Sequence, residues 1–300
     1  MTTGYRPQPA SDFDPELLLI FDQYVHGDID RRTFLARAGR FAVGTVTAAA
    51  LLGALSPRFA EAQKVAPDDE RLEARFVEYD SPSGYGRARG YLVRPAKAAA
   101  PLPLALVVHE NRGLNPHIED VARRLALENF IVLAPDALFP LGGYPGDEDA
   151  ARALFQQLDQ SKAFADFVNA AGFLHTQPGS NHRLGAVGFC YGGAIVNRLA
   201  VALPDLRAAV PFYGTAPAID GVGAIRAELL LHFASSDERV NATWPAYEAA
   251  LKQAGVRYTA YQYPDTQHGF HNDTTPRFDP AAAALAWNRT LALFNRLLRS

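Results

Sequence analysis

Gly188-Phe189-Cys190-Tyr191-Gly192-Gly193 constrains this chain more than any other stretch. Before it, Arg183-Leu184-Gly185-Ala186-Val187 ends in a short apolar run that reads as a buried strand. After it, Ala194 to Ala202 reads as a helix. A strand that turns sharply into a helix around a glycine-flanked nucleophile is a nucleophile elbow, usually written G-x-S-x-G; here cysteine takes the serine position. Gly188 and Gly192 are needed because a Cβ at either place would collide with the turn. The following helix directs its N-terminal amides and positive dipole end at the sulfur, which favours thiolate over thiol. A lone cysteine is more often a small buried hydrophobe, so the case for chemistry depends on what else the chain brings to it.

The rest of the chain reads as strands alternating with helices. Residues 74–79 and 87–94 form two strands around the turn Ser81-Pro82-Ser83-Gly84-Tyr85-Gly86, an opening hairpin. Leu104 to His109 and Phe130 to Ala134 are continuous apolar runs, as inner parallel strands require. Asn115-Pro116 caps a helix reaching about Asn129. Two helical stretches lie near 147–158 and 160–175, beyond a loop rich in proline and glycine. Arg207–Tyr213, Glu228–Phe233 and Arg257–Tyr263 are further strands. Asn241–Ala254 reads as one helix stopped by Gly255, and a last helix starts at the cap Asp279. This alternation implies an α/β class: a mostly parallel, twisted sheet with helices on both faces, in one domain spanning residues 63–300.

In such a sheet the reactive groups sit beyond the carboxyl ends of strands. Cys190, Asp237, His268 and Glu110 all occupy that place. The chain order nucleophile, acid, histidine is the one the α/β-hydrolase fold uses. In that arrangement His268 takes the proton of Cys190 and later activates water, and Asp237 fixes the imidazole tautomer. The backbone amides of Tyr191 and Asn111 are the expected oxyanion donors. His109, His117, His268 and His271 lack the fixed local spacing of a zinc site, and no Walker loop or GxGxxG is present, so no metal or cofactor is expected. A net charge of −3 over 300 residues gives no basic excess for nucleic acid, and the single cysteine rules out an intramolecular disulfide.

These residues resemble the dienelactone hydrolase family over roughly residues 70–298, and more narrowly its twin-arginine-exported bacterial members. The markers are His109-Glu110 at a strand end, the elbow itself, Asp237 with Val240 three residues later, and His268-Gly269-Phe270. The resemblance implies an α/β-hydrolase with a Cys190, Asp237, His268 triad that cleaves lactones or other small esters through a covalent acyl-enzyme, without a cofactor. It also implies that Glu110 pairs with the resting Cys190; a salt bridge from Glu110 to Arg112 is the alternative. The chain departs from the family where dienelactone-specific members place an arginine for the substrate carboxylate. The stretch from Ala134 to Tyr144 has none, and the next is Arg152. The expectation is therefore a neutral or bulkier ester held by Phe139, Tyr144, Tyr213 and Phe270 in an apolar pocket, with Arg112 and Arg152 as candidate clamps.

Residues 1–62 read differently. Arg31-Arg32 followed by Phe34-Leu35, the uncharged stretch Phe41–Leu55, and Ala60-Glu61-Ala62 fit a signal peptide for the twin-arginine machinery, cleaved near Ala62. Its n-region, residues 1–30, is unusually long. The apolar run is too short for a comfortable membrane span. The expectation is a periplasmic or secreted monomer with no stable membrane insertion after cleavage. A rival reading is a non-catalytic periplasmic ligand-binding module on the same fold, and acyl transfer on the same triad is a third.

Overall fold

The computed structural model describes residues 7–98 and 101–299. At its centre is one eight-stranded sheet with the order β1-β2-β4-β3-β5-β6-β7-β8. The strands are β1 (Leu72–Ser81), β2 (Gly86–Pro95), β3 (Leu102–Val108), β4 (Ile131–Pro135), β5 (Ser180–Phe189), β6 (Leu206–Phe212), β7 (Glu228–Ser236) and β8 (Tyr258–Gln267). The hairpin β1–β2 and the β2–β4 pair are antiparallel; every later pair is parallel. All seven residues of β3 and all five of β4 are buried. That is why those strands are apolar throughout rather than alternating: helices cover both of their faces.

The helices are α1 (Pro15–His26), α2 (Arg31–Ala38), α3 (Ala48–Leu55), α4 (Phe59–Ala62), α5 (Pro116–Leu127), α6 (Glu148–Phe155), α7 (Gln160–His175), α8 (Tyr191–Ala202), α9 (Glu238–Asn241), α10 (Trp244–Ala254) and α11 (Pro280–Leu298). On one face of the sheet Leu104, Leu106 and Val108 pack with α7, α8 and α10. On the other, Ala105 and Val107 pack with α5 and α11. One difference from the sequence reading lies at residues 238–254, where the chain forms two helices rather than one. Asp237 caps the short α9 by accepting from Val240 N at 3.3 Å, and α10 starts afresh with Pro245 in its first turn.

Within residues 1–62, the stretch read as a leader, residues 10–62 fold against this domain. Asp14 caps α1 and Asp30 caps α2, each accepting from a backbone amide in the first turn, and Gly27 closes α1 in the left-handed region at φ 86°. Leu17, Phe21, Tyr24, Phe34, Leu52 and Leu55 are buried together in a small separate core. The uncharged stretch is not one helix. Among the described residues only Ala48–Leu55 of it is α-helical, and no described helix is long and apolar enough to cross a membrane. Polar contacts fasten this arm to the domain. Tyr24 donates to Asp149, Arg31 pairs with Asp149 at 2.9 Å, Arg277 pairs with Asp22 at 3.0 Å, and Arg112 donates to the Val25 carbonyl at 2.9 Å.

Candidate active site

Cys190 stands between β5 and α8 with φ 55° and ψ −113°, a backbone conformation L side chains rarely adopt. The neighbouring glycines make it attainable. A Cβ on Gly188 would lie 2.2 Å from the Gly192 carbonyl oxygen, and one on Gly192 would lie 2.2 Å from the Val108 carbonyl oxygen. Backbone atoms cannot yield to such contacts, so both positions require glycine. The Cys190 amide donates to the Phe212 carbonyl at 3.1 Å, fastening the turn to β6. Twelve helical residues follow, so the sulfur sits at the positive end of α8.

Asp237 follows β7 and His268 follows β8, adjacent parallel strands, so their loops meet at one end of the sheet. His268 Nδ1 and Asp237 Oδ2 are 2.6 Å apart, and both side chains are about 5% exposed or less. The contact fixes the tautomer: Nδ1 carries the proton toward Asp237, leaving Nε2 for chemistry. His268 Nε2 is buried and has no hydrogen-bond partner among the described residues. The Cys190 sulfur and one ring nitrogen each of His268 and His26 lie within 4.8 Å of one another.

His26 is the residue the sequence reading did not pick. It is the last residue of α1, and its Nε2 is 3.7 Å from Cys190 Sγ, within hydrogen-bonding distance for sulfur. Its ring stands edge-on to His268 with centroids 4.7 Å apart. Its Nδ1 contacts the Asp22 carbonyl at 2.9 Å and the Asp22 carboxylate at 3.3 Å. Arg239 donates to the same Nε2 at 2.9 Å. The available sequence signal is Asp22 and His26 four apart on a helix, which puts them on one face.

The charges act on the sulfur in opposition to its burial. Burial alone would push the Cys190 thiol up, but the His268 and His26 imidazoles bring it down to about 6. Burial likewise lowers both imidazoles, and the sulfur with the two aspartates outweighs it. His268 is raised, and His26 is raised to about 10. Arg239 works against the His26 shift, because a guanidinium can donate only to an unprotonated Nε2. Arg239 is exposed, and Asp22 and the sulfur set the upward direction for His26. Asp237 and Asp22 are both held low, against burial, by their histidines. One cation could reach all three donor atoms, but it would occupy the lone pairs of the sulfur.

The other expected residues divide. Asn111 and Tyr191 line a cavity of about 260 Å³ beside Cys190, and Tyr213 does too. Asn111 also donates from Nδ2 to the Val25 carbonyl at 3.0 Å, so its loop is braced by the arm. Glu110 is not paired with the sulfur: it accepts from Asn272 at 2.9 Å, and His26 holds the place beside Cys190. Nor does Glu110 pair with Arg112, which is buried and faces Glu148 at 3.7 Å and Val25. Phe139 lies under the Arg89 guanidinium, Tyr144 donates to Glu148 at 2.9 Å, and Phe270 is fully buried against Tyr263. These three and Arg112 fall outside the cavity lining, so the apolar pocket expected from them is corrected. Arg152 does line the cavity, together with Arg239, which sequence reasoning passed over. The cavity wall therefore carries two guanidiniums from two helices far apart in the chain, α6 and α9.

Comparison with known proteins places the chain in a family. A model described as "Dienelactone hydrolase family" matches residues 88–298, and one described as "YqhI-like" matches residues 7–43. A protein of Escherichia coli K12 described as "Putative carboxymethylenebutenolidase" is 30% identical over 243 residues, covering 76% of this chain and 89% of its own. Among solved structures, a "Putative Dienelactone Hydrolase" from Klebsiella pneumoniae is 29% identical with a TM-score of 0.66, covering 75% of this chain and 99% of its own. A dienelactone hydrolase-like promiscuous phosphotriesterase from metagenomic libraries is 25% identical with a TM-score of 0.65, covering 76% and 99%.

Proposed function

Because the chain belongs to the dienelactone hydrolase family, we propose that it hydrolyses small carboxylic esters or lactones with Cys190 as covalent nucleophile. One observation supports the reading above the rest: a strained, glycine-flanked cysteine stands beside an imidazole whose far nitrogen is held by a buried aspartate at 2.6 Å. Those are the parts of a nucleophile, base and orienting acid.

In the proposed reaction the Cys190 thiolate adds to the ester carbonyl, and the resulting oxyanion is held by the amides of Tyr191 and Asn111. Collapse breaks the bond to the leaving oxygen, which takes the proton from His268 Nε2, and leaves a Cys190 thioester. His268, neutral again, takes a proton from water. The hydroxide adds to the thioester carbonyl, and the second collapse expels the thiolate and releases the acid. Asp237 stays ionised and stabilises the imidazolium at each stage. Arg152 and Arg239 on the cavity wall favour substrates that carry a carboxylate near the scissile bond.

The test is a panel of chromogenic aryl esters, lactones and thioesters, each with and without a carboxylate, against the protein and Cys190→Ala. The expected loss on substitution is at least about 10³-fold. Retention of most of the rate by Cys190→Ala would sink the covalent mechanism. Turnover of nothing in the panel, with an ordinary thiol titration, would favour the binding-module reading.

Export by the twin-arginine route is a separate proposal, supported by Arg31-Arg32 and Ala60-Glu61-Ala62. Cleavage at Ala62 would remove His26 from the site. The intact mass of protein recovered from a periplasmic fraction tells a leader from a retained arm.

A further inference from the structure

The arm makes polar contacts with the loops around the elbow, and one of its side chains reaches the reacting atom. His26 arrives from residues outside the stretch matched by the hydrolase family model, yet it is the hydrogen-bond partner of the sulfur. We propose that His26, oriented by Asp22, is a second catalytic acid–base group on Cys190, so that two aspartate–histidine pairs from separate parts of the chain face one sulfur. The inference rests on the hydrolase reading only in calling Cys190 the nucleophile.

The geometry assigns each group a part. With Arg239 donating to His26 Nε2 and Nδ1–H directed at Asp22, the ring is neutral and its one Nε2 lone pair is held by Arg239, while Cys190 Sγ waits 3.7 Å from the same nitrogen. When the exposed Arg239 side chain leaves, the S–H bond breaks, its electron pair stays on sulfur and the proton moves to Nε2. The product is a thiolate beside an imidazolium, with Asp22 as the counter-charge. No oxidant or outside reactant is needed. His268 is then free to hold or release its own proton toward the leaving oxygen and water. A single imidazole would have to do both tasks in turn.

Every charged group around the sulfur bears on this titration. His268 with Asp237 comes from the β7 and β8 loops, and Asp22 with its partner Arg277 from α1 and the segment before α11. Arg239 comes from α9, and Arg152 and Glu148 from α6. Arg112, Glu110 and the buried Tyr213 come from the loops after β3 and β6. Among these, only His26 and His268 have a nitrogen near the sulfur that can take its proton. Substitution of each histidine in turn therefore separates their shares.

The chain contains one cysteine, so ultraviolet thiolate absorbance reports Cys190 alone and requires no substrate. The full-length protein is titrated beside His26→Gln, His268→Ala, the double variant and Asp22→Asn, with circular dichroism confirming each fold. The proposal expects His268→Ala to keep a thiol midpoint well below that of a free cysteine, and the double variant to return to about 8.5. His26→Gln alone should raise the midpoint by about one unit or more. Asp22→Asn, which leaves His26 in place, should shift it in the same direction by less. The acid limb of kcat/KM should move upward with the thiol midpoint in His26→Gln. The proposal is overturned if His268→Ala alone restores an ordinary thiol, or if His26→Gln and Asp22→Asn both leave the midpoint where it was. If no ester is turned over but the titrations behave as expected, the hydrolase reading fails and this one stands.

Discussion

Two aspartate–histidine pairs face the same sulfur, and they are built in different ways. Asp237 and His268 come from loops after adjacent parallel strands, contact each other at 2.6 Å and are 4% and 5% exposed. Asp22 and His26 lie four residues apart on one helix, contact at 3.3 Å and are 33% and 11% exposed. The first pair is positioned by the strands that each residue directly follows. The second is positioned by the docking of an arm with its own small core. An equilibrium in the arm can therefore change the state of the sulfur without touching the fold that carries it.

The largest expected effect tests whether the pairs are unequal. His268→Ala or Asp237→Asn should lower kcat/KM by about 10³- to 10⁴-fold, because in the proposed reaction the sheet-borne pair serves the proton transfers to the leaving oxygen and from water. His26→Gln should cost about 10²-fold, the low end of the share of one acid–base group. Equal losses from the two histidines would erase the distinction between the pairs.

A second prediction breaks the arm while sparing both histidines. Phe34 is fully buried in the core of the arm, and Phe34→Ala should destabilise that core by about 3–5 kcal/mol. Activity should then fall to the level of His26→Gln, residues 7–62 should become sensitive to protease, and the main melting transition should stay near its original midpoint. Loss of the whole fold would show instead that arm and domain form one cooperative unit.

The legibility of the molecule follows the same division. The inner strands were readable because parallel strands covered on both faces are apolar throughout, as in Leu104–Val108 and Ile131–Ala134. The meeting of Cys190, Asp237 and His268 at one end of the sheet was readable because the topology puts each strand-end loop in a set place. The arm was not. Two arginines before an uncharged stretch match a leader, and nothing local says that Leu52 and Leu55 pack on Phe34 and Leu17. Arg152 and Arg239 share a cavity wall because α6 and α9 converge on it, which their 87-residue separation could not reveal. Glu110 was assigned to the sulfur because the resemblance covers a domain without this arm; with the arm present, His26 takes that position.

Arg239 lies between the two pairs and sharpens the comparison by a smaller effect. It lines the cavity and donates to His26. Arg239→Ala should raise KM for a carboxylate-bearing ester by about 5- to 10-fold, the share of one exposed charge contact of about 1 kcal/mol. The neutral analogue should be handled nearly as before. An equal rise for both esters would place Arg239 outside substrate recognition.

The smallest effect is the pH dependence of the docked arm. Burial opposes the charged His26, but Asp22 and the sulfur raise it from 6.5 to about 10 in the folded chain. A group whose folded pKa is raised contributes its full stability below the unfolded value, so His26 holds the arm most firmly below pH 6.5. That contribution is lost progressively as pH rises toward 10. Asp22 acts at the other end. Its carboxyl is held low, so its contribution is complete above the ordinary carboxylate range and is lost as pH falls below it. The arm should therefore be most resistant to proteolysis between about pH 5 and 6.5 and cut progressively faster toward pH 10, once corrected for the pH profile of the protease. His26→Gln should flatten the alkaline rise while leaving the acid side in place. A rise that persists unchanged in His26→Gln would assign the alkaline release to some other group and leave the arm held by its core contacts alone.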